Sequence, residues 1–106
     1  MKEQNETIII DLSPKQQLNE SFLRQFGTAI ELIIKRMFGL NNTEFKFRGP
    51  RTSVGELART LGAERKYIEA MKKAGLSDPS VLSSKHRLDR AIASFEKQTG
   101  IKWPLK

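Results

Sequence analysis

The chain has 106 residues, a formal net charge of +7, 38% hydrophobic residues and no cysteine. This length and apolar content suit one compact domain with a small core, and the lack of cysteine excludes disulfides, thiolate metal sites and cysteine nucleophiles. No stretch approaches the ~20 apolar residues of a membrane span, and the first residues lack the basic start and cleavage site of a signal peptide. We therefore expect a cytoplasmic protein (host cytoplasm if viral) without a membrane partner.

The positive charge lies in the C-terminal part of the chain. Residues 1–40 hold equal numbers of basic and acidic residues, so residues 41–106 carry the whole net charge of +7. Such an excess favours an anionic partner, and nucleic acid is the first candidate. Within one compact domain we therefore predict an apolar N-terminal part, for the core or for oligomerisation, and a basic helical part.

Two short segments have the pattern of β-strands. Residues 7–12 contain three consecutive Ile, a β-branched run that favours an extended strand. In residues 44–48, Phe45 and Phe47 alternate with charged residues, as in a half-buried strand. The two segments can pair as a short ribbon. Unpaired, the Ile run would be an apolar arm for another chain.

A long amphipathic helix is predicted between these segments. Ser13, Pro14 and Gln16 supply a cap, a first-turn proline and a capping box, and Gly39 supplies the stop. The apolar positions cover more than one face. The helix therefore either forms the core of the domain or also contacts a second copy or a protein partner. The candidate interface residues are Phe22, Phe26, Ile30, Ile34 and Phe38.

The connection after this helix, residues 41–52, is basic and contains two Phe. Basic residues interleaved with aromatic ones occur in proteins that bind single strands and RNA. The alternative is that both rings are buried and the charges are solvated. Arg48 and Arg51 precede the next predicted helix, where a basic arm could reach a neighbouring phosphate or groove.

Residues 53–76 have the pattern of two short amphipathic helices. Leu57 and Leu61 lie on one face of the first helix, Ile68 and Met71 on one face of the second. Gly62 lies between them, where a sharp turn would favour the left-handed conformation that Gly adopts without steric cost. The stretch resembles the helix-turn-helix of bacterial and phage DNA-binding proteins.

The resemblance implies that the second helix presents one side to a DNA groove. The residues on that side would be Glu64, Arg65, Lys66, Glu69, Ala70 and Lys73. Carboxylates there would be repelled by phosphates and could accept a hydrogen bond only from a cytosine amino group. The alternative is a helical hairpin that closes the core.

A final helix is predicted after Gly75, which ends the preceding one. A turn at residues 77–79 and a short helical turn at 80–82 lead to a cap at Ser83 or Ser84, and Gly100 ends the helix. Trp103 in the tail is expected to fold back onto the core. The outer side of the helix is basic, and a wider basic surface would include these residues: Arg59, Lys72, Lys85, His86 and Lys97.

These patterns together predict a mainly α domain with a long N-terminal helix, a helix-turn-helix-like pair, a C-terminal helix and a short two-stranded ribbon. The predicted function is a regulatory or accessory protein that binds double-stranded DNA mainly through phosphates. The candidate nucleic-acid-binding residues are Arg48, Arg51, Arg65, Lys66, Lys73, Arg87 and Arg90.

The alternative prediction is an oligomeric assembly or adapter protein, or a small viral structural protein, that acts through the apolar N-terminal helix. Enzymatic activity is not expected. The sequence has no Gly-rich phosphate loop and no metal-ligand spacing, and its single His has no apparent nucleophile partner. We therefore expect no cofactor, no metal and no small-molecule substrate.

Overall fold

The computed structural model describes residues 7–13, 20–75 and 77–105. In chain order they form strand β1 (Thr7–Asp11), helix α1 (Glu20–Met37), strand β2 (Glu44–Arg48), helix α2 (Arg51–Ala74) and helix α3 (Pro79–Thr99). The predicted mainly α fold with a two-stranded ribbon is confirmed. The predicted start of α1 at Pro14, with Gln16 in a capping box, lies outside the described residues.

The two strands pair in parallel, with α1 as the crossover between them. Parallel neighbours need a long connection, which a helix usually provides. The register places Ile8 beside Phe45 and Ile10 beside Phe47, so these four side chains share one face of the sheet. Ile10 is buried in the core. The Ile run is therefore a paired strand rather than a free arm.

The predicted bend at Gly62 is wrong. Residues 51–74 form one continuous helix, so the two short helices and the intervening turn predicted in this stretch are not formed. Gly62 does not adopt the left-handed conformation. The glycines with positive φ among the described residues are Gly39, Gly49, Gly75 and Gly100.

The spacing of the core-facing residues of α2 explains why the helix continues. Leu57, Leu61, Glu64, Ile68 and Met71 are separated alternately by four and three residues, which keeps them on one side of a single helix. The first three are buried. A glycine inside a helix costs about 1 kcal/mol relative to Ala, and burial on both sides of Gly62 offsets this cost.

α3 begins earlier than predicted. The Asp78 carboxylate accepts a hydrogen bond from the Ser80 backbone N–H at 2.8 Å, and Pro79 occupies the first turn. This pair satisfies the preferences of a helix start, so the separate turn at residues 80–82 and the cap at Ser83 or Ser84 are wrong. α2 does end at Gly75, as predicted.

The other two glycine stops are also confirmed. After α1, the Gly39 N–H donates to the Arg36 carbonyl at 3.0 Å and the Leu40 N–H donates to the Lys35 carbonyl at 2.9 Å, which is the Schellman pattern. After α3, Gly100 has φ 77° and its N–H donates to the carbonyl three residues inside the helix end. Both glycines supply the left-handed residue that these endings need.

The tail folds back onto the core, as predicted. Ile101 and Trp103 are buried. The Trp103 ring meets Phe95 edge-on at 5.4 Å and Phe26 at 6.4 Å between centroids, while Phe26 and Phe95 stack at 6.0 Å. Edge-to-face and stacked rings are favourable aromatic geometries, so this cluster ties the tail to α1 and α3.

Gly62→Ala tests the continuity of α2. A Cβ at Gly62 would have no heavy atom within 4 Å outside its own helix, and alanine loses less backbone entropy on folding, so the variant should be about 0.5–1 kcal/mol more stable. Gly39→Ala is the contrasting variant because φ is +77° there, and it should lose about 1–2 kcal/mol. Urea unfolding measures both. A destabilised Gly62→Ala protein would instead indicate a bend.

Candidate nucleic-acid interface

A groove of about 350 Å³ separates the exposed sides of α2 and α3. Small residues leave the room for it, and they are Ala58, Gly62, Ala63, Ser84 and Ala91. The charged residues that line the groove are Arg59, Lys66 and Arg87. All three are exposed, so the groove combines a narrow, nearly apolar floor with a cationic rim.

The rotation of α2 places its basic residues at this groove. Arg59, Lys66 and Lys73 recur every seven residues, close to two turns of 3.6 residues, so they form a stripe along one side. Leu57 and Leu61 are buried on the opposite side. Burying the apolar side of α2 therefore turns the basic stripe towards solvent.

α3 likewise buries its apolar side and exposes its basic side. Leu88 and Ile92 are buried, which leaves Arg87 at the groove and Arg90 exposed one turn further along. Thr60 is fully buried where the two helices meet. Its hydroxyl donates within α2 to the Glu56 carbonyl at 2.8 Å and lies 3.2 Å from the Ala91 carbonyl of α3, so a polar side chain is accommodated at the closest approach of the groove walls.

One carboxylate lies close to the basic rim. Glu56 Oε2 is 3.6 Å from a guanidinium nitrogen of Arg59. The Glu56 side chain is only 12% exposed, whereas that of Arg59 is 65% exposed. Glu56 Oε1 is buried and has no hydrogen-bond partner among the described residues. The Glu56 carboxylate thus partly neutralises the charge of Arg59, while the solvent-exposed N–H groups of the Arg59 guanidinium remain available to an anion.

The structure corrects the direction of Glu64. The resemblance to a helix-turn-helix placed this residue on a groove-facing side, but it is buried and accepts a hydrogen bond from the Trp103 indole Nε1 at 3.0 Å. Burial raises the pKa of Glu64, and the bond from Trp103 partly opposes this effect. Glu64 therefore anchors the tail and does not face a partner.

Arg65 already has two contacts within the protein. Its Nε donates to Glu69 Oε2 at 3.2 Å, and its guanidinium lies 5.9 Å from the centre of the Phe38 ring. Lys72 Nζ is 4.6 Å from the same centre. These contacts hold the end of α1 against α2 on a different side from the basic stripe, so Arg65 is poorly placed to join the groove.

The two candidates near β2 are exposed but do not line the groove. Arg48 pairs in register with Asp11 across the sheet. Hydrogen bonds from Ser13 and, to a smaller extent, the charge of Arg48 lower the pKa of Asp11, so a carboxylate stands beside this arginine. Arg51 is the first residue of α2. Neither residue lines the pocket of Arg59, Lys66 and Arg87.

The candidate interface on α1 is largely internal. Phe26 and Ile30 are buried in the core of the same chain, so they are not available to a second chain. Phe22 stacks on Phe26 at 5.8 Å, and Ile34 packs against the core. Phe38 is half-buried beneath the basic residues of α2. The face is apolar because it covers the sheet and the hairpin of α2 and α3.

Arg59 lines the groove, although the sequence predicts it only as part of the wider basic surface and not among the candidate nucleic-acid-binding residues. Its seven-residue spacing to Lys66 and Lys73 is visible in the sequence, but a bend at Gly62 would separate Arg59 from the other two. These three residues form one stripe because α2 is a single continuous helix.

No protein-family model matches the chain, and comparison with curated proteins and with solved structures gives no significant match. Across residues 7–13, 20–75 and 77–105, no helix combines the length and apolar character needed to cross a membrane. The same residues contain no group of three or more His, Asp or Glu side chains that could hold a metal ion.

Glu64 should make folding stability depend on pH. Its pKa is raised in the folded protein, so the folded chain keeps a proton that the unfolded chain releases above about pH 4. The contribution of the neutral acid is therefore complete below the unfolded-state pKa, and it is lost as pH rises through the folded-state pKa. Glu64→Gln cannot ionise but keeps an oxygen for Trp103, so the stability of the variant relative to the wild type should increase as pH rises above about 4.

Urea unfolding at several pH values measures this difference. Trp103→Phe is the contrasting variant, because the indole N–H favours the ionised carboxylate. Its loss should steepen the fall in stability with pH while also lowering stability at every pH. Parallel curves for the wild type and Glu64→Gln would show that Glu64 ionises without a burial cost.

Proposed function

We propose that the protein is a non-enzymatic nucleic-acid-binding protein that contacts double-stranded DNA mainly through phosphates. The observation that supports this function best is the groove between α2 and α3, where Arg59, Lys66 and Arg87 converge from two helices. Arg donates to phosphate through a planar fork, and Lys acts as a compact positive charge. The protein is proposed to act as a regulatory or accessory factor.

The composition of the groove favours phosphates over bases. Besides the three basic residues it is lined by Ala, Gly and Ser, and no aromatic side chain of the described part of the chain lines it. Proteins that bind single strands usually stack bases on aromatic rings, and such a platform is missing from this groove. A duplex keeps its bases stacked and presents its phosphates outward, so it fits this surface better.

The basic stripe extends the proposed contact beyond the groove. Lys73 continues the line of Arg59 and Lys66 towards the end of α2, and Arg90 lies one turn from Arg87 on α3. These residues are exposed. Together they can follow successive phosphates, whereas Arg65 is engaged by Glu69 and Phe38.

Salt dependence is the first test of phosphate binding. Fluorescence anisotropy with a labelled random duplex should show an affinity that falls steeply with salt, with a logarithmic slope of about 0.9 for each phosphate contacted. Arg59→Ala and Arg87→Ala should each weaken binding several-fold and lower that slope by about one. Absence of binding at low salt would reject the proposed function.

Lys85→Ala is the matched control for Arg87→Ala. Lys85 lies two residues away on α3, pairs with Asp89 at 3.3 Å and does not line the groove. Each substitution removes one positive charge, so both change the net charge equally. If the groove binds phosphates, Lys85→Ala should leave the salt slope unchanged. Equal losses in the two variants would indicate attraction to the whole basic surface and no specific contact at the groove.

Glu56→Gln tests the same groove with a substitution that should raise duplex affinity. The substitution removes the carboxylate that lies 3.6 Å from Arg59 and keeps a side chain of similar size. Without that competing charge, Arg59 should bind phosphate more strongly, and duplex affinity should rise a few-fold at low salt. Circular dichroism checks that the helices are retained. Unchanged affinity in a folded variant would place Arg59 outside the contact.

A further inference from the structure

One edge of β2 borders a second groove of the protein. Among the described residues the sheet has only β1 and β2, so β2 has one neighbouring strand. A groove of about 600 Å³ runs along residues 43–47 and is bounded by α1 and α2. An edge strand is a template for pairing with another strand. Just before β2, the Thr43 carbonyl accepts a hydrogen bond from Arg36 Nε at 3.1 Å, so the pairing proposed below centres on Phe45.

The apolar residues of this groove are incompletely covered. Phe45, Met37 and Val54 are half-buried, and Phe47 is 40% exposed. Phe45 and Phe47 are the register partners of Ile8 and Ile10 and share one face of the sheet with them. A strand added at this edge would therefore bring its own apolar side chain against Phe45 and extend the core.

We propose that this edge pairs with the same edge of a second copy, so that two β2 strands run antiparallel at the centre of a four-stranded sheet. β2 has the sequence EFKFR. With the two-fold axis at Phe45, each Glu44 lies opposite Lys46 of the other copy, and the two Phe45 rings face each other. Directly opposite residues share one face of a sheet. Glu44 and Lys46 therefore pair on the solvent-facing side, and the two Phe45 rings pair on the core-facing side.

The charge pattern selects a second copy as the partner. The protein carries a net charge of +7, which opposes self-association in general. At this edge, however, Glu44 and Lys46 are exposed, opposite in sign and two residues apart, so an antiparallel copy presents the complementary order. A purely basic edge would repel a second copy, and cross-strand pairs of opposite charge stabilise pairing.

This interface differs from the one predicted on α1. The α1 residues Phe26 and Ile30 are enclosed by the core, whereas Glu44, Lys46 and Phe47 remain accessible. Pairing through β2 also leaves the groove between α2 and α3 unoccupied, since no residue of β2 lines that groove. Self-association and phosphate binding would therefore use separate surfaces.

Charge exchange tests the proposed register. In sedimentation equilibrium without nucleic acid, the wild-type protein should form a dimer. Glu44→Lys and Lys46→Glu should each weaken dimerisation about tenfold, because two attractive cross-strand pairs become repulsive. The double variant Glu44→Lys with Lys46→Glu should restore dimerisation to near the wild-type level. A wild-type monomer throughout the micromolar range, or single variants that dimerise normally, would overturn the proposal.

Disulfide trapping provides a second readout, since the chain has no cysteine. A mixture of the Glu44→Cys and Lys46→Cys proteins should form mixed disulfide dimers on mild oxidation, because those positions are opposite one another. Each variant alone should cross-link far less, since identical positions lie on a diagonal. Equal cross-linking of the separate variants and the mixture would overturn the register.

Discussion

The fold depends on Trp103, because this one side chain joins the tail to all three helices. Its ring packs against Phe26 of α1 and Phe95 of α3, and its indole N–H donates to Glu64 of α2. The backbone N–H of Trp103 donates to Glu96 on α3 at 2.8 Å. A buried indole needs a hydrogen-bond acceptor, so the position of the tail and the inward direction of Glu64 are fixed together.

The orientation of the basic surface follows from the same contact. With Glu64 and Leu61 turned towards the core, the opposite side of α2 must carry Arg59 and Lys66 into solvent. α3 packs against α2 and adds Arg87 to this surface. The small residues that line the groove leave it open between the two helices. The candidate site is therefore a consequence of how α2 is packed, and a different rotation of this helix would scatter its charges.

The sequence predicted the fold where two independent signals agreed. At Gly39 and Gly100 the apolar periodicity stops where the glycine occurs, and both glycines end helices. At Gly62 the apolar periodicity continues through the glycine, and the predicted bend is wrong. Glu64 was misplaced for a related reason: it occupies a core position of the repeat, and only the distant Trp103 explains its burial. Such long-range partners are not visible in local patterns.

α2 also connects the two proposed surfaces. Ala58 lines the basic groove on the side of α3 and the apolar groove on the side of β2. Pairing through β2 would give each dimer two basic grooves on one rigid frame, and binding at the first would raise the effective phosphate concentration at the second. A protein with only a few phosphate contacts per copy gains most from such pairing, because its single-site affinity is modest at physiological salt. Self-association through the sheet edge would therefore strengthen nucleic-acid binding without any new contact to the duplex.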